Sequence, residues 1–147
     1  KEGAGPASEF EEARDLAGAA PALRELDRSV LGFPLEWTHD FLFETKARCL
    51  LFRDRGVPVG YAYVRGNGAV GPMAVGASGY SRQVLETALR VSAAQGVEKV
   101  RFYFPGSNRH AVDLAARYRM KIEPLVFMST EPFAKWENYV FHSAALM

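Results

Sequence analysis

The chain has 147 residues, enough for one domain with one hydrophobic core. A hydrophobic share of 48% and a charged share of 24% suit a globular protein. The formal net charge of +1, from 18 basic and 17 acidic residues, gives no electrostatic case for nucleic acid or an acidic membrane surface. The lone cysteine, Cys49, excludes an internal disulfide and reads as a small core residue. No apolar run is long enough to span a bilayer and no signal peptide is visible, so a cytoplasmic location is the default expectation.

Residues 1–12 are rich in Gly, Ala, Pro, Ser and Glu and read as a linker or disordered terminus, leaving 13–147 as the domain. The chain does not begin with Met, which fits the end of a longer protein and a cloning boundary equally. Pro21 suits the first turn of a helix in which Leu23, Leu26, Val30 and Leu31 recur at helical spacing until Gly32. Thr38 is a candidate cap for a short helix bearing Phe41 and Leu42. Ala47 to Phe52 reads as a strand, Asp54-Arg55-Gly56 as a turn, and Val57 to Val64 as a second strand. Strand alternation sets Val59, Tyr61 and Tyr63 on one face of it. Asn67-Gly68 predicts a hairpin turn, because both residues tolerate positive φ. A buried strand then runs to Val75.

The period changes after that strand. Val84, Leu85, Ala88 and Leu89 mark one face of a helix that ends at Gly96. Val100, Phe102 and Phe104 alternate within a strand from Val97 to Phe104. Ser107 or Asn108 caps a helix carrying Ala111, Val112, Leu114 and Tyr118. Two closing strands are expected at Ile122 to Ser129 and Tyr139 to Ala145.

This succession resembles the GNAT superfamily of N-acetyltransferases over about residues 13 to 147. The resemblance is carried by Pro58-Val-Gly-Tyr-Ala-Tyr-Val64, Gly71-Pro-Met-Ala-Val75, the register Val84-Leu85-Glu-Thr-Ala88-Leu89, Gly96, and Asn108 followed by Ala111 and Leu114. It implies an α/β fold of GNAT (acyl-CoA N-acyltransferase) type, a mixed and mostly antiparallel twisted sheet flanked by helices. The sheet would splay between the Gly71–Val75 and Val97–Phe104 strands. By the resemblance, the pantetheine arm of acetyl-CoA lies in that split against backbone of Met73, Ala74 and Val75. Asn108 then stands near the cofactor tail. A substrate amine, of a small molecule or a protein, attacks the thioester directly, and no metal is needed.

Two departures from the family stand out. The pyrophosphate needs converging backbone N–H groups at a helix N-terminus, supplied in the family by Arg/Gln-x-x-Gly-x-Gly/Ala. Here Gly76-Ala-Ser-Gly-Tyr-Ser-Arg-Gln83 is about four residues shorter than that loop. It reads either as a reduced anion nest, with Gly79, Tyr80, Ser81 and Arg82 toward the phosphates, or as a tight turn and N-cap. The departing thiolate also benefits from a proton donor. The family's tyrosine position is Ala115 here, and Arg119-Met120 replaces the usual Gly-Phe. Tyr118, three residues further on, is the candidate acid; the other reading is a core aromatic with its hydroxyl at the edge.

The chain further resembles the second half of tandem GNAT proteins, in which one half keeps the phosphate loop and the other degenerates. Leu26-Asp-Arg-Ser-Val-Leu-Gly-Phe33, Gly60-Tyr-Ala-Tyr-Val64 and Met128-Ser-Thr-Glu-Pro-Phe-Ala-Lys-Trp-Glu-Asn-Tyr139 carry that resemblance. Two functions follow as expectations: an acetyl-CoA-dependent N-acyltransferase domain, or a binding or structural module that has lost CoA. An N-terminal GNAT half or a homodimer through exposed terminal strands fits either. His39, His110 and His142 form no metal spacing and read as satisfied or surface residues. Asp40 and Glu44 read as a solvated helix face or as groups that greet an amine.

Overall fold

A computed structural model of the chain describes residues 9–143. Four helices and six strands alternate along it in the order β1, α1, α2, β2, β3, β4, α3, β5, α4, β6.

Helix α1, Leu16–Leu31, starts at Asp15, whose carboxylate accepts the Gly18 N–H at 2.7 Å. It stops at Gly32, where φ of 89° is open to glycine without strain. Pro21 therefore lies inside the helix and not in its first turn. It has no N–H for the carbonyl four residues back, yet burial of Leu23, Leu26, Val30 and Leu31 holds the helix through that gap. Helix α2, Glu36–Glu44, begins at Leu35 without a side-chain cap, so Thr38 falls within its first turn.

Strands β2 (Arg48–Asp54), β3 (Val57–Val64) and β4 (Ala69–Val75) form an antiparallel meander. Strand β1, Glu9–Glu12, adds to the outer edge of β2. Those four residues were expected within a terminal linker; residues 1–8 lie outside the described residues. Their order comes from partners distant in sequence. Arg48 grips Glu12 through two bonds of 3.0 and 2.8 Å, Arg53 meets Glu11 at 3.1 Å, and Phe10 lies 5.5 Å from Phe52.

Pairing shifts between Phe52 and Arg53, so Phe52 faces Gly60 while Arg53 faces Pro58. This bulge turns Val59 toward the face opposite Tyr61 and Tyr63, against the simple alternation. At the β3–β4 turn only Gly68 takes positive φ, and a Cβ there would stand 2.0 Å from the Lys99 carbonyl oxygen. Asn67 serves instead through its side chain, which accepts the Ala69 N–H at 3.1 Å.

Helix α3 is Ser81–Ala94 and α4 is Arg109–Arg117. Strand β5 is reduced to Arg101–Phe102, parallel to β4, and β6 to Tyr139–Val140, antiparallel to β4. The sheet order is β1-β2-β3-β4-β5, with β6 also on β4. Helices α1 and α2 cover one face through Leu23, Leu26 and Leu42 against Tyr61, Tyr63 and Ala74. Helices α3 and α4 cover the other through Val84, Leu85 and Leu114 against Ala62, Met73 and Val75. The strand expected at Ile122 to Ser129 is absent. Leu125, Val126 and Met128 stand exposed there, because a strand forms only where a neighbouring edge receives it. No helix among the described residues is long and apolar enough to cross a membrane.

Candidate functional site

All seven residues of β4 are buried, and β4 touches three other strands. At its start Ala69 and Val70 pair with Arg101 and Phe102 of β5. Further along, β6 occupies the same edge: Met73 pairs with Val140 and Ala74 with Tyr139. The Phe141 N–H then donates to the Tyr103 carbonyl at 2.8 Å, which ties β6 to the end of β5. The sheet splits between β4 and β5 as expected, and the chain's own 139–141 segment fills the split. The open edge expected at Met73 and Ala74 is therefore closed by β6. Val75 pairs with Gly60 on the opposite side.

Two features hold the filling strand. Gly71 has φ of 124°, and a Cβ on it would sit 2.3 Å from the Phe141 carbonyl oxygen. Only glycine admits so close a passage. Asn108 is wholly buried; its Nδ2 donates to the Tyr139 carbonyl at 3.1 Å. Its Oδ1 accepts the Ala111 N–H at 3.1 Å and the Ser81 hydroxyl at 3.4 Å. Asn108 caps α4 as expected, and the same side chain clamps β6 where a cofactor tail was expected.

The loop after β4 takes the tight-turn form. Ser78–Tyr80 is a 3₁₀ turn leading straight into α3. Gly79 is exposed, and Ser81 is buried toward Asn108. Tyr80 donates its hydroxyl to Asp54 at 2.7 Å, a bond that raises its pKa above the usual phenol value. Arg82 meets Glu86 at 4.0 Å on the outer surface. The same Glu86 accepts from the Tyr118 hydroxyl at 3.2 Å. Tyr118 ends α4, half-exposed, so Arg82, Glu86 and Tyr118 form a surface chain across α3 and α4. The structure thus brings Met73, Ala74, Ser81 and Asn108 together around β6, and leaves Gly79, Arg82 and Tyr118 outside that cluster.

Sequence reasoning missed a buried polar network on the α1–α2 face. The Asp27 carboxylate accepts from the Tyr61 hydroxyl at 2.6 Å and from the Leu35 N–H at 2.8 Å, and its Oδ2 lies 2.8 Å from His39 Nε2. His39 Nδ1 is 2.9 Å from the Tyr63 hydroxyl. Burial pushes both tyrosines well above the ordinary range, and the Asp27 charge pushes Tyr61 further the same way. Cys49, also buried, has its thiol pushed up to about 12, which removes it as a nucleophile at neutral pH. The signal was present: Asp27 shares the helical face of Leu23, Leu26 and Val30, where a carboxylate needs partners. No group of three or more His, Cys, Asp or Glu side chains that could hold a metal ion occurs among the described residues.

No family model matches the chain, and no curated protein matches it. Among solved structures, a candidate acetyltransferase from Pyrococcus horikoshii is similar over 97% of this chain, with a TM-score of 0.68 and 15% identity. The two share a fold. This chain spans 47% of that protein's length.

Proposed function

We propose that the chain is a GNAT-type domain that does not itself load acyl-CoA and supports an N-acyltransferase unit that does. The observation that carries this reading is the pairing of Met73 and Ala74 with Val140 and Tyr139. A pantetheine arm needs that edge free, and these residues therefore do not fit the cofactor. Asn108 supports the reading, because its side-chain groups are engaged by β6, α4 and Ser81. The 3₁₀ turn at Ser78–Tyr80 supports it too, since it replaces the longer loop that would gather N–H groups on a pyrophosphate. The likeness to a candidate acetyltransferase, of which this chain covers 47%, supports acyl transfer as the activity served. The amine acceptor, small molecule or protein, meets the coenzyme on a partner half.

The second reading is an acetyl-CoA-dependent N-acetyltransferase in which β6 moves aside. One observation favours it: Ser78 and Gly79 stand exposed at the start of the turn into α3, an orientation in which backbone dipoles attract anions. Calorimetry of acetyl-CoA with the purified chain, with desulfo-CoA and ATP as controls, separates the two. The first reading expects no binding heat at millimolar ligand. Micromolar binding of acetyl-CoA and desulfo-CoA, with none of ATP, would overturn it and make Arg82→Ala and Tyr118→Phe the next variants.

A further inference from the structure

A second feature lies at the closed end of the split and is independent of the coenzyme question. The Arg65 N–H donates to the Ala69 carbonyl at 2.9 Å, and Ala69 pairs in register with Arg101. Residues opposite one another on neighbouring strands project to the same face. Arg65 and Arg101 therefore flank the small side chain of Ala69, and Tyr103, two residues beyond Arg101, shares their face. Neither arginine has a carboxylate partner among the described residues, and Arg65, unlike the exposed arginines that also have none, is part-buried.

The polar atoms here are also unpartnered. Arg65 uses Nη2 on the His142 carbonyl at 3.0 Å, while its buried Nε donates to nothing among the described residues. His142 is 6% exposed, and both of its ring nitrogens lack a partner among the described residues. The charges oppose one another: burial and the Arg101 charge lower Arg65, and burial and the Arg65 charge lower His142. Buried donors beside two cations with no carboxylate partner among the described residues are suited to receive an anion. An open groove of about 870 Å³ is lined by Arg101 and Tyr103 together with Phe127, Trp136 and Phe141, and Arg65 and His142 lie behind that lining.

We propose that Arg65, Arg101 and His142 hold the anionic head, a carboxylate or a phosphate, of a ligand whose apolar body lies in this aromatic groove. The anion supplies a counter-charge to the two arginines and accepts from Arg65 Nε. The neighbouring rings of Phe127, Trp136 and Phe141, with centroids 5.3 to 5.5 Å apart and planes inclined by 34° to 68°, give the body an apolar aromatic surface.

The test is an NMR titration of the whole chain with inorganic phosphate, phenyl phosphate and benzoate, with benzyl alcohol as the neutral control. Saturable shifts of the Arg65 Nε–Hε and His142 ring signals are expected with the anions. Phenyl phosphate or benzoate should bind more tightly than inorganic phosphate. Whichever of those two binds more tightly names the headgroup. Arg101→Gln, at an exposed position, should keep its melting temperature and weaken the tighter probe by about tenfold or more. Absence of saturable shifts at tens of millimolar, equal binding by Arg101→Gln, or the same shifts with benzyl alcohol would each overturn the proposal.

Discussion

The Asp27 network and the end of β6 are two buried polar regions on one molecule, and they are finished to different degrees. Around Asp27, the Leu35 N–H, the Tyr61 hydroxyl, the His39 ring and the Tyr63 hydroxyl all find partners within 2.6–2.9 Å. Around β6, Asn138 Oδ1, the Tyr139 hydroxyl, both His142 ring nitrogens and Arg65 Nε find none among the described residues. A satisfied buried network fixes one packing of α1 and α2 on the sheet. An unsatisfied one is open to a further partner. The first region fixes the fold, and the second is where we propose that an anion binds.

The strongest way to break the contrast is Asp27→Ala. It strips the acceptor from the buried Tyr61 hydroxyl and His39 ring and from the part-buried Leu35 N–H at once, and is expected to cost about 3–5 kcal/mol, read by urea unfolding. A loss under one kcal/mol would show that water or a shift of His39 substitutes easily. Gly71→Ala comes next, because the new methyl would meet the Phe141 carbonyl oxygen at 2.3 Å in a backbone region that disfavours side chains. About 1–3 kcal/mol is expected from the backbone strain alone. Faster amide exchange at Val140 and Phe141, with α1 unchanged, would locate the damage at β6.

Asn108→Ala removes the α4 cap and the bond to Tyr139, and about 0.5–2 kcal/mol is expected for the cap. The informative readout is again exchange at β6, which should quicken if Asn108 clamps the strand and stay unchanged if it only caps α4. The smallest effect concerns pH. His142 has its folded-state pKa lowered from 6.5 by burial and by Arg65, so the unfolded chain binds the proton more readily. Its contribution is fully present above pH 6.5 and is lost as pH falls through the lowered value. His142→Gln should flatten the pH dependence of stability in that acidic window, and an unchanged slope would remove His142 as its source.

How legible the molecule was depended on the range of the contacts involved. Helices α1 and α3 and the β2–β3–β4 meander were readable because their apolar periods and the Gly32, Gly68 and Gly96 turns act over a few residues. Strand β1 was hidden in a Glu-rich stretch that pairs only because Arg48 and Arg53 wait across the edge. Ile122 to Ser129 has strand composition and no strand, since nothing in its own sequence says whether an edge will be free. At the candidate site, Met73, Ala74, Ser81 and Asn108 were expected along a bound coenzyme, and in the structure they lie around β6.

The sequence by itself determined the order of elements from α1 to α4, the two apolar faces of the sheet and the cap at Asn108, because each is written in local spacing. Only the tertiary structure decided what lies in the split. Strand β6 comes more than sixty residues after the edge it covers, and its pairing follows from close passage at Gly71 and from a side chain on α4. The same holds for the cations. Arg65 and Arg101 are ordinary surface-type residues in the sequence, and the strand pairing sets them on either side of Ala69 with no carboxylate partner among the described residues.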